Sequence, residues 1–472
     1  MMRVFFMKEI RDAFASRRFW VILALCLILI PLGVEVSLKD YQTRLQNYRE
    51  AVRIYGEQIK TVSDVMYKGG AKAFAPPSPL GFLSLGLALV NPNVAETQYK
   101  YGEPPAVMRL SNNQGRDNLY EFFYGPLDLI FIVGVVMSLL AVIMSYGAIG
   151  GEKEQGTLGL VLSNSVPRAK VILAKTAANS LVLIIPFLAS LALGLVILAL
   201  QGLPLAAAGG TWASIGLAVL FAALFIGAFF NLGLLVSALT KQAVTALVAL
   251  LLAWVFLYGV YPRLASAAAQ VVHPVKSEAR LALEKAQVRA NVEKALEAEI
   301  DKLAKAMPDS EKSPAFEEGK KNQEEVRAKY RTELEATWRA LERESDARRA
   351  SLLALTANIA RLSPVSAFVR PLAELSRTGW LEYRQFGAEA REFESILNRD
   401  VFDKLTFLRM GRNASVNLDE KAAAAAAPTF EYRPTRMEAV VRDVLPDLVL
   451  LALFNLIFFA GAFLAFIRYD AR

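Results

Sequence analysis

The chain has 472 residues, of which 54% are hydrophobic and 21% are charged, and its formal net charge is +8. A mean hydropathy of +0.34 is too high for an ordinary soluble protein. Because the charges are concentrated in a few blocks, these values predict an integral membrane protein with substantial soluble parts. Basic residues that flank membrane spans account for the positive charge, so nucleic acid is not expected as a partner.

The sequence has only one cysteine, Cys26, and one histidine, His273. No disulfide can form within the chain, and a zinc site built from His and Cys is excluded. Neither a phosphate-binding G-x-x-x-x-G-K-[ST] loop nor a G-x-S-x-G elbow occurs. We therefore expect no catalytic residue, no bound metal or cofactor, and no enzyme activity of the chain by itself.

Residues 1–18 have an amphipathic pattern, in which Phe6, Ile10 and Phe14 share one helical face and Lys8 and Arg11 lie elsewhere. This pattern predicts a helix lying in the cytoplasmic membrane interface before the first span.

Six apolar stretches are long enough, as helices, to cross a hydrocarbon core about 30 Å thick. They are residues 19–36, 127–149, 176–200, 212–239, 243–261 and 448–467. The first could be a signal peptide, but no small-residue cleavage site follows it, so an uncleaved anchor is predicted. The expected fold is therefore an all-α membrane protein with six transmembrane helices.

Lysine and arginine are distributed unevenly between the connecting segments. They cluster in residues 1–18, 150–175 and 468–472, whereas the short segment Gln201–Thr211 has no charge. The positive-inside rule places those three basic segments, and hence both termini, in the cytoplasm. Residues 37–126 and 262–447 are then extracytoplasmic, so a large domain is expected outside.

The first extracytoplasmic segment begins with a heptad pattern of apolar residues. The pattern comprises Tyr41, Leu45, Tyr48, Val52, Tyr55, Ile59, Val62 and Met66. It predicts a coiled-coil-like helix that continues the first span without a break to about Lys68.

A short charged segment, Gly151–Leu158, separates the second and third spans. The apolar stretch before it and the uncharged run Thr176–Thr240 after it hold this segment just outside the bilayer. There it can contact a soluble partner while its flanks stay in lipid.

The fifth span carries a stripe of small residues at helical spacing: Ala243, Ala246, Ala249 and Ala253. Such a stripe lets helices approach closely. Two interpretations are open, namely packing within one bundle and a seam between two copies of the chain.

The second extracytoplasmic segment contains two long helical patterns, at about Ser277–Met307 and Phe316–Arg361. A turn rich in proline and serine separates them, which predicts an antiparallel helical hairpin. A further amphipathic helix begins after Ser363 and Pro364. It is expected on the outer membrane surface, against the bundle, or buried in the outer domain.

Taken together, these elements resemble the permease subunits of type-2 ABC exporters. That family has an interfacial N-terminal helix, six spans and a cytoplasmic E-x-E-x-G-T-L turn that continues into a coupling helix. The matching residues are Glu152, Glu154, Gly156, Thr157 and Leu158, then Val161, Leu162, Ser163 and Asn164, with Pro167, Arg168 and Lys175 at the entry to the third span.

More narrowly, the chain looks like the subgroup with a large insertion between spans five and six. The permeases of nitrous-oxide-reductase maturation and of gliding motility belong to that subgroup. The residues that carry this likeness are Gly125-Pro126-Leu127-Asp128 and Leu362-Ser363-Pro364.

The resemblance implies several partners for a multi-pass permease in the inner membrane of a prokaryote. A separate ATPase, which binds ATP and Mg, would receive Leu158, Val161 and Leu162 in an apolar groove, and its basic rim would pair with Glu152 and Glu154. A second permease copy or a homologue would complete the transporter. The long outer helices also allow mechanical transmission to an extracytoplasmic protein instead of export.

Two other classes remain to be compared with an ABC permease. A membrane-anchored scaffold or sensor with a coiled-coil ectodomain would need no ATPase, and no ATPase would be encoded beside it. An ion-coupled secondary transporter would need buried charges at mid-membrane, and the third to fifth spans contain none.

The coupling hypothesis predicts that Glu154→Lys or Leu158→Asp abolishes binding of the ATPase, because each change places a mismatched charge in the contact. Co-purification of a tagged permease with the ATPase is the measurement. If both variants still retain the ATPase in full, the hypothesis is wrong.

Overall fold

The structure is a computed structural model that describes residue 7 and residues 10–11, 14–67, 70–89, 93–97, 108–111, 126–156, 167–203, 210–306, 314–397 and 425–468. Two compact units make up the chain. The larger contains Met1–Tyr99, Val107–Pro262 and Arg361–Arg472, and the smaller contains Lys100–Ala106 and Arg263–Ala360.

Helices dominate the described residues. In chain order they are α1 (Arg17–Gln58), α2 (Val62–Tyr67), α3 (Leu129–Phe131, Ile132–Met137 and Ser138–Ser145 in continuous succession), α4 (Gly150–Glu154), α5 (Arg168–Leu200), α6 (Thr211–Leu239), α7 (Ala243–Val255, Phe256–Val260 and Tyr261–Val272), α8 (Glu278–Lys305), α9 (Pro314–Ala360), α10 (Ser366–Leu375), α11 (Trp380–Leu397) and α12 (Met437–Ile467). Six segments are long and apolar enough to cross a membrane: α1, α3 with α4, α5, α6, α7 and α12. The predicted all-α membrane fold with six spans is thus confirmed. The predicted N-terminal interfacial helix lies largely outside the described residues.

Helix α1 extends far beyond the first span. The Ser16 side chain caps its start by accepting a hydrogen bond from the Phe19 amide at 3.2 Å. Its 42 residues correspond to a length of about 63 Å. The helix ends at Gln58, short of the expected end near Lys68. The break is stabilised by Asp64, whose carboxylate accepts the backbone amides of residues 60 and 61 at 3.0 and 2.9 Å.

A small antiparallel sheet follows, and the sequence reasoning missed it. Its strands, β1 (Lys72–Phe74), β2 (Val94–Thr97) and β3 (Met108–Ser111), pair in the order β1-β2-β3. Three or four residues per strand are too few for a period-two pattern to stand out. The Tyr55 hydroxyl of α1 accepts a hydrogen bond from the Lys72 amide at 3.1 Å. The sheet therefore contacts one of the apolar residues of the heptad pattern.

The transmembrane core is centred on α6. Four of its phenylalanines are almost fully buried: Phe221, Phe225, Phe229 and Phe230. Helices α3, α5, α10 and α12 all pack against α6. Helix α7 also packs against α6. On their other sides α7 and α12 leave broad apolar faces exposed, as expected for helices that meet lipid or another chain.

The middle parts of α3 and α7, Ile132–Met137 and Phe256–Val260, have the wider π-helical winding. They lie near each other, since a Cβ atom added at Gly134 would be 3.4 Å from the Tyr258 ring. Next to these two segments, the Trp254 indole donates to the Ser138 hydroxyl at 2.8 Å. Ser138 in turn donates to the Gly134 carbonyl at 2.6 Å, so a side chain serves one of the displaced backbone acceptors.

The amphipathic helix predicted after Ser363 is α10, and it is buried against the bundle. Its Phe368 ring stacks on Phe225 of α6 with 4.4 Å between the ring centroids. A charged clamp joins the same region to α12. Asp447 is fully buried, accepts from the Arg361 Nε at 3.0 Å, and also pairs with Arg370.

The smaller unit contains the predicted hairpin, formed by α8 and α9 running antiparallel. The Tyr330 hydroxyl donates to Glu299 at 2.6 Å, and the Trp338 indole donates to the Lys285 carbonyl at 3.2 Å. Arg349 pairs with Glu278 at the other end. These contacts hold the two helices in one register along their length.

The clamp at Asp447 gives a prediction about stability. Asp447→Ala leaves two partly buried guanidinium groups without a shared carboxylate, and we expect a loss of about 3–5 kcal/mol. Asp443→Ala is the matched control, since Asp443 lies one turn away on α12, is 37% exposed in its side chain, and forms an ion pair with only one of the described arginines, Arg370. Thermal unfolding in detergent measures both. Equal losses for the two variants would contradict the assignment.

Candidate coupling site

The charged segment between the second and third spans forms a single helical turn, α4, followed by Gly156. Gly156 has φ of +70°, a left-handed conformation that glycine adopts without strain, and its amide bonds to the Lys153 carbonyl at 3.2 Å. The remaining predicted coupling residues, Thr157, Leu158, Val161 and Leu162, lie outside the described residues.

Ser237, near the end of α6, anchors the start of α4. Its hydroxyl accepts the amides of Ile149 and Gly150 at 3.2 and 2.9 Å and donates to the Tyr146 carbonyl at 2.6 Å. Ser237 is fully buried. One side chain thus provides hydrogen-bond partners for three backbone groups between α3 and α4, where the helical hydrogen bonds are interrupted.

Glu152 contacts the third span. Its carboxylate forms an ion pair with the Lys175 Nζ at 2.6 Å. The Lys175 side chain is only 9% exposed, so this pair is shielded from solvent more than a surface salt bridge. The resemblance assigns Glu152 to the rim of a partner, whereas here it is held by α5 of its own chain.

Lys153 contacts the end of the fourth span. Its ammonium group donates to the carbonyls of Ala238 and Thr240, the second at 3.1 Å. These are carbonyls at the C-terminus of α6, which have no partner within the helix. A cation at this position also interacts favourably with the helix dipole.

Glu154 contacts the start of the fifth span. Its carboxylate accepts the Ala243 amide at 3.3 Å, at the N-terminus of α7. An anion is favourable there because the N-terminus is the positive end of the helix dipole. Glu154 and the two residues after it are exposed, so this end of α4 is accessible to another molecule.

Three consecutive side chains of α4 therefore hold three different helices: Glu152 holds α5, Lys153 holds α6, and Glu154 holds α7. Sequence reasoning singled out the two glutamates but missed Ser237 and Lys153. One signal was present for Lys175, because it is the last charge before the uncharged run through Thr240. A charge at such a boundary needs a partner.

The structure divides the alanine stripe of α7. Ala246 is fully buried within the chain, whereas Ala249 is exposed and Ala253 is half-buried. Ala243 lies close to α4, since a Cβ atom added at Gly150 would be 3.7 Å from the Ala243 Cα. Packing inside one chain thus uses Ala243 and Ala246, and Ala249 faces outward.

The fold and the site define a multi-pass membrane protein whose charged turn is fastened to the ends of three membrane helices. The chain belongs to the ABC-2 family of transporter proteins, whose family model matches residues 4–320, about two thirds of the chain. It is accordingly a permease subunit of an ABC transporter. ABC-2 permeases work with an ABC ATPase subunit. No curated protein matches the sequence.

The role of Ser237 is testable with a matched pair of variants. Ser237→Ala leaves buried amides without an acceptor, and we expect it to destabilise the protein by about 1–3 kcal/mol. Ser190→Ala is the control, because Ser190 is equally buried but has no hydrogen-bond partner among the described residues. Thermal unfolding in detergent compares them. A loss at Ser190 as large as that at Ser237 would refute the assigned role.

Proposed function

We propose that this chain is the permease of an exporter in which a separate ATPase, carrying ATP and Mg, drives the membrane helices through α4 and the loop that follows it. The observation that carries the proposal is the contact of three adjacent α4 side chains with α5, α6 and α7. Each contact is a hydrogen bond in which the α4 side chain is charged. A displacement of α4 would therefore be transmitted to all three helices.

The two glutamates of α4 take different parts in this proposal. Glu152 transmits force within the chain, because its carboxylate is bound to the shielded Lys175. Glu154 lies at the exposed end of α4, so it is the carboxylate that meets the basic rim of the ATPase. Leu158, Val161 and Leu162 follow directly in sequence and supply the apolar part of the contact.

A second permease completes the transporter in this proposal. Six spans form half of such an assembly, and the exposed apolar faces of α7 and α12 give the chain surface for a partner as well as for lipid. Ala249 lies on the exposed side of α7 and can permit close approach of a second copy or a homologue. Ala246 is excluded from that seam, since it is buried within the chain.

In this proposal the membrane is the inner membrane of a prokaryote, with the basic segments and both termini cytoplasmic.

The hairpin of α8 and α9 then belongs to the outer domain. Its register is fixed by Trp338, Tyr330 and the Arg349–Glu278 pair, which favours a stiff element. Mechanical transmission to an extracytoplasmic protein is therefore the second candidate. Removing residues 278–360 would leave export intact if the chain is a conduit only.

A charge exchange tests the coupling proposal. Glu152→Lys and Lys175→Glu each place like charges together, so we expect each variant to bind the ATPase but to lose most of the permease-dependent ATP hydrolysis. The double variant restores an ion pair and should recover at least half of the wild-type rate. The measurement is the ATPase rate of the complex in lipid vesicles.

The matched control is Lys72→Glu, which breaks the Lys72–Glu96 pair of the small sheet, 2.9 Å in length. That variant should keep the wild-type rate. If the single exchanges at α4 leave the rate unchanged, or if the folded double variant stays inactive, the proposal fails. A chain that binds no ATPase would instead be a membrane-anchored scaffold or sensor.

A further inference from the structure

A cavity of about 400 Å³ lies in the larger unit, away from α4. Its walls are the part of α1 after the first span, the loop from Ala75 to Leu85, and the turn between α10 and α11. Four aromatic rings and four prolines contribute to the lining, and the rings are Tyr41, Tyr383, Phe386 and Tyr432. This volume lies within the range of ordinary ligand sites.

The turn between α10 and α11 is a hydrogen-bonded helix C-cap, in which the amides of Arg377 and Thr378 donate to the carbonyls of Glu374 and Ala373 at 3.0 Å each. Arg377 has φ of +57°, the one positive φ of a residue other than glycine among those described. Its neighbour Thr378 is fixed on both sides, because its hydroxyl donates to the Ser84 carbonyl at 3.0 Å and its carbonyl accepts the Leu87 amide at 2.8 Å. These hydrogen bonds hold the turn in one conformation, and with it this wall of the cavity.

A buried carboxylate also stabilises this turn by bonding to the first amides of α11. Glu374 is 4% exposed and accepts the amides of Trp380 and Leu381 at 3.0 and 3.1 Å. Gly379 is required beside it, since a Cβ atom there would lie 2.4 Å from the Glu374 carboxyl carbon. The wall that carries Arg377 and Tyr383 is therefore rigid before any ligand arrives, which lowers the entropy cost of binding.

The charges that line the cavity already have partners within the chain. Arg44 pairs with Asp40 at 2.8 Å and donates to the Ala88 carbonyl at 3.2 Å. Glu382 accepts the hydroxyl of Tyr432. Two arginines and two carboxylates in the lining cancel, so a strongly charged ligand gains little here. A sugar is also disfavoured, because its hydroxyls would compete for carboxylates that are engaged.

What the lining does offer is aromatic rings and a hydroxyl donor. Tyr41 forms no hydrogen bond to the described residues, so its hydroxyl is available to a carbonyl oxygen. A polyproline II segment presents flat pyrrolidine rings and solvated carbonyls and needs little ordering to bind. Grooves lined by aromatic residues recognise such segments in several unrelated domains.

We propose that this cavity binds an extended, proline-containing segment of a partner protein, with its rings against Tyr41, Tyr383 and Tyr432 and a carbonyl on the Tyr41 hydroxyl. The proposal does not depend on the coupling function of α4. It assigns the larger unit a binding site of its own.

The test uses the full-length protein in lipid nanodiscs and fluorescein-labelled hexaproline as the probe, followed by fluorescence anisotropy. We expect saturable binding of hexaproline and no binding of a labelled Gly-Ser peptide of equal length. Tyr41→Ala should raise the Kd at least tenfold. Tyr48→Ala, a tyrosine two turns further along α1 that does not line the cavity, should change the Kd less than twofold.

Tyr41→Phe removes only the hydroxyl and is the second variant if Tyr41→Ala does not fold; we expect it to raise the Kd about threefold. Absence of hexaproline binding overturns the proposal. So does equal binding of the Gly-Ser peptide, or binding that neither Tyr41 variant weakens. Displacement of the probe by maltohexaose, with the same dependence on Tyr41, would assign the cavity to carbohydrate and overturn the peptide assignment.

Discussion

A hydrocarbon core offers no hydrogen bonds to a polypeptide, and most of this structure follows from that constraint. Each backbone amide and carbonyl in a span must find a partner within its own helix. The groups that cannot do so are at the helix ends, where four amides or four carbonyls remain. In this protein the ends of α6 and α7 are served by Lys153 and Glu154, so the segment that is proposed to couple to an ATPase also completes two membrane helices.

The same constraint explains which parts of the fold could be predicted. Six long apolar stretches predict six spans, because length and hydropathy determine whether a helix can cross a bilayer. The hairpin of α8 and α9 was predictable for a related reason, since its apolar stripe recurs with helical spacing over several turns. The sheet was not, because its strands are short and β1 and β2 are joined by about twenty intervening residues.

The position of the candidate site was predictable from the sequence, but the contacts that its side chains make were not. Charge and family pattern both point to Glu152 and Glu154. Neither indicates that Glu152 reaches Lys175, or that Ser237 caps the turn from 87 residues away in sequence. Such contacts depend on how α5 and α6 are placed relative to α4, and tertiary placement leaves little trace in a local pattern. The end of α1 was misjudged for the same reason, since Asp64 and the sheet end it at Gln58 although the apolar spacing continues.

The contact between Lys153 and α6 also bears on how the protein is made. Lys153 and the Ala238 carbonyl are 85 residues apart, and the Ala243 amide follows only five residues later. A ribosome adds about 5–20 residues per second, so α4 is synthesised on the order of ten seconds before its hydrogen-bond partners on α6 and α7. During that interval α4 has none of its partners on α6 and α7. Because Lys153 bonds to the end of α6 and Glu154 to the start of α7, the contacts of α4 can be completed only after both helices have been made.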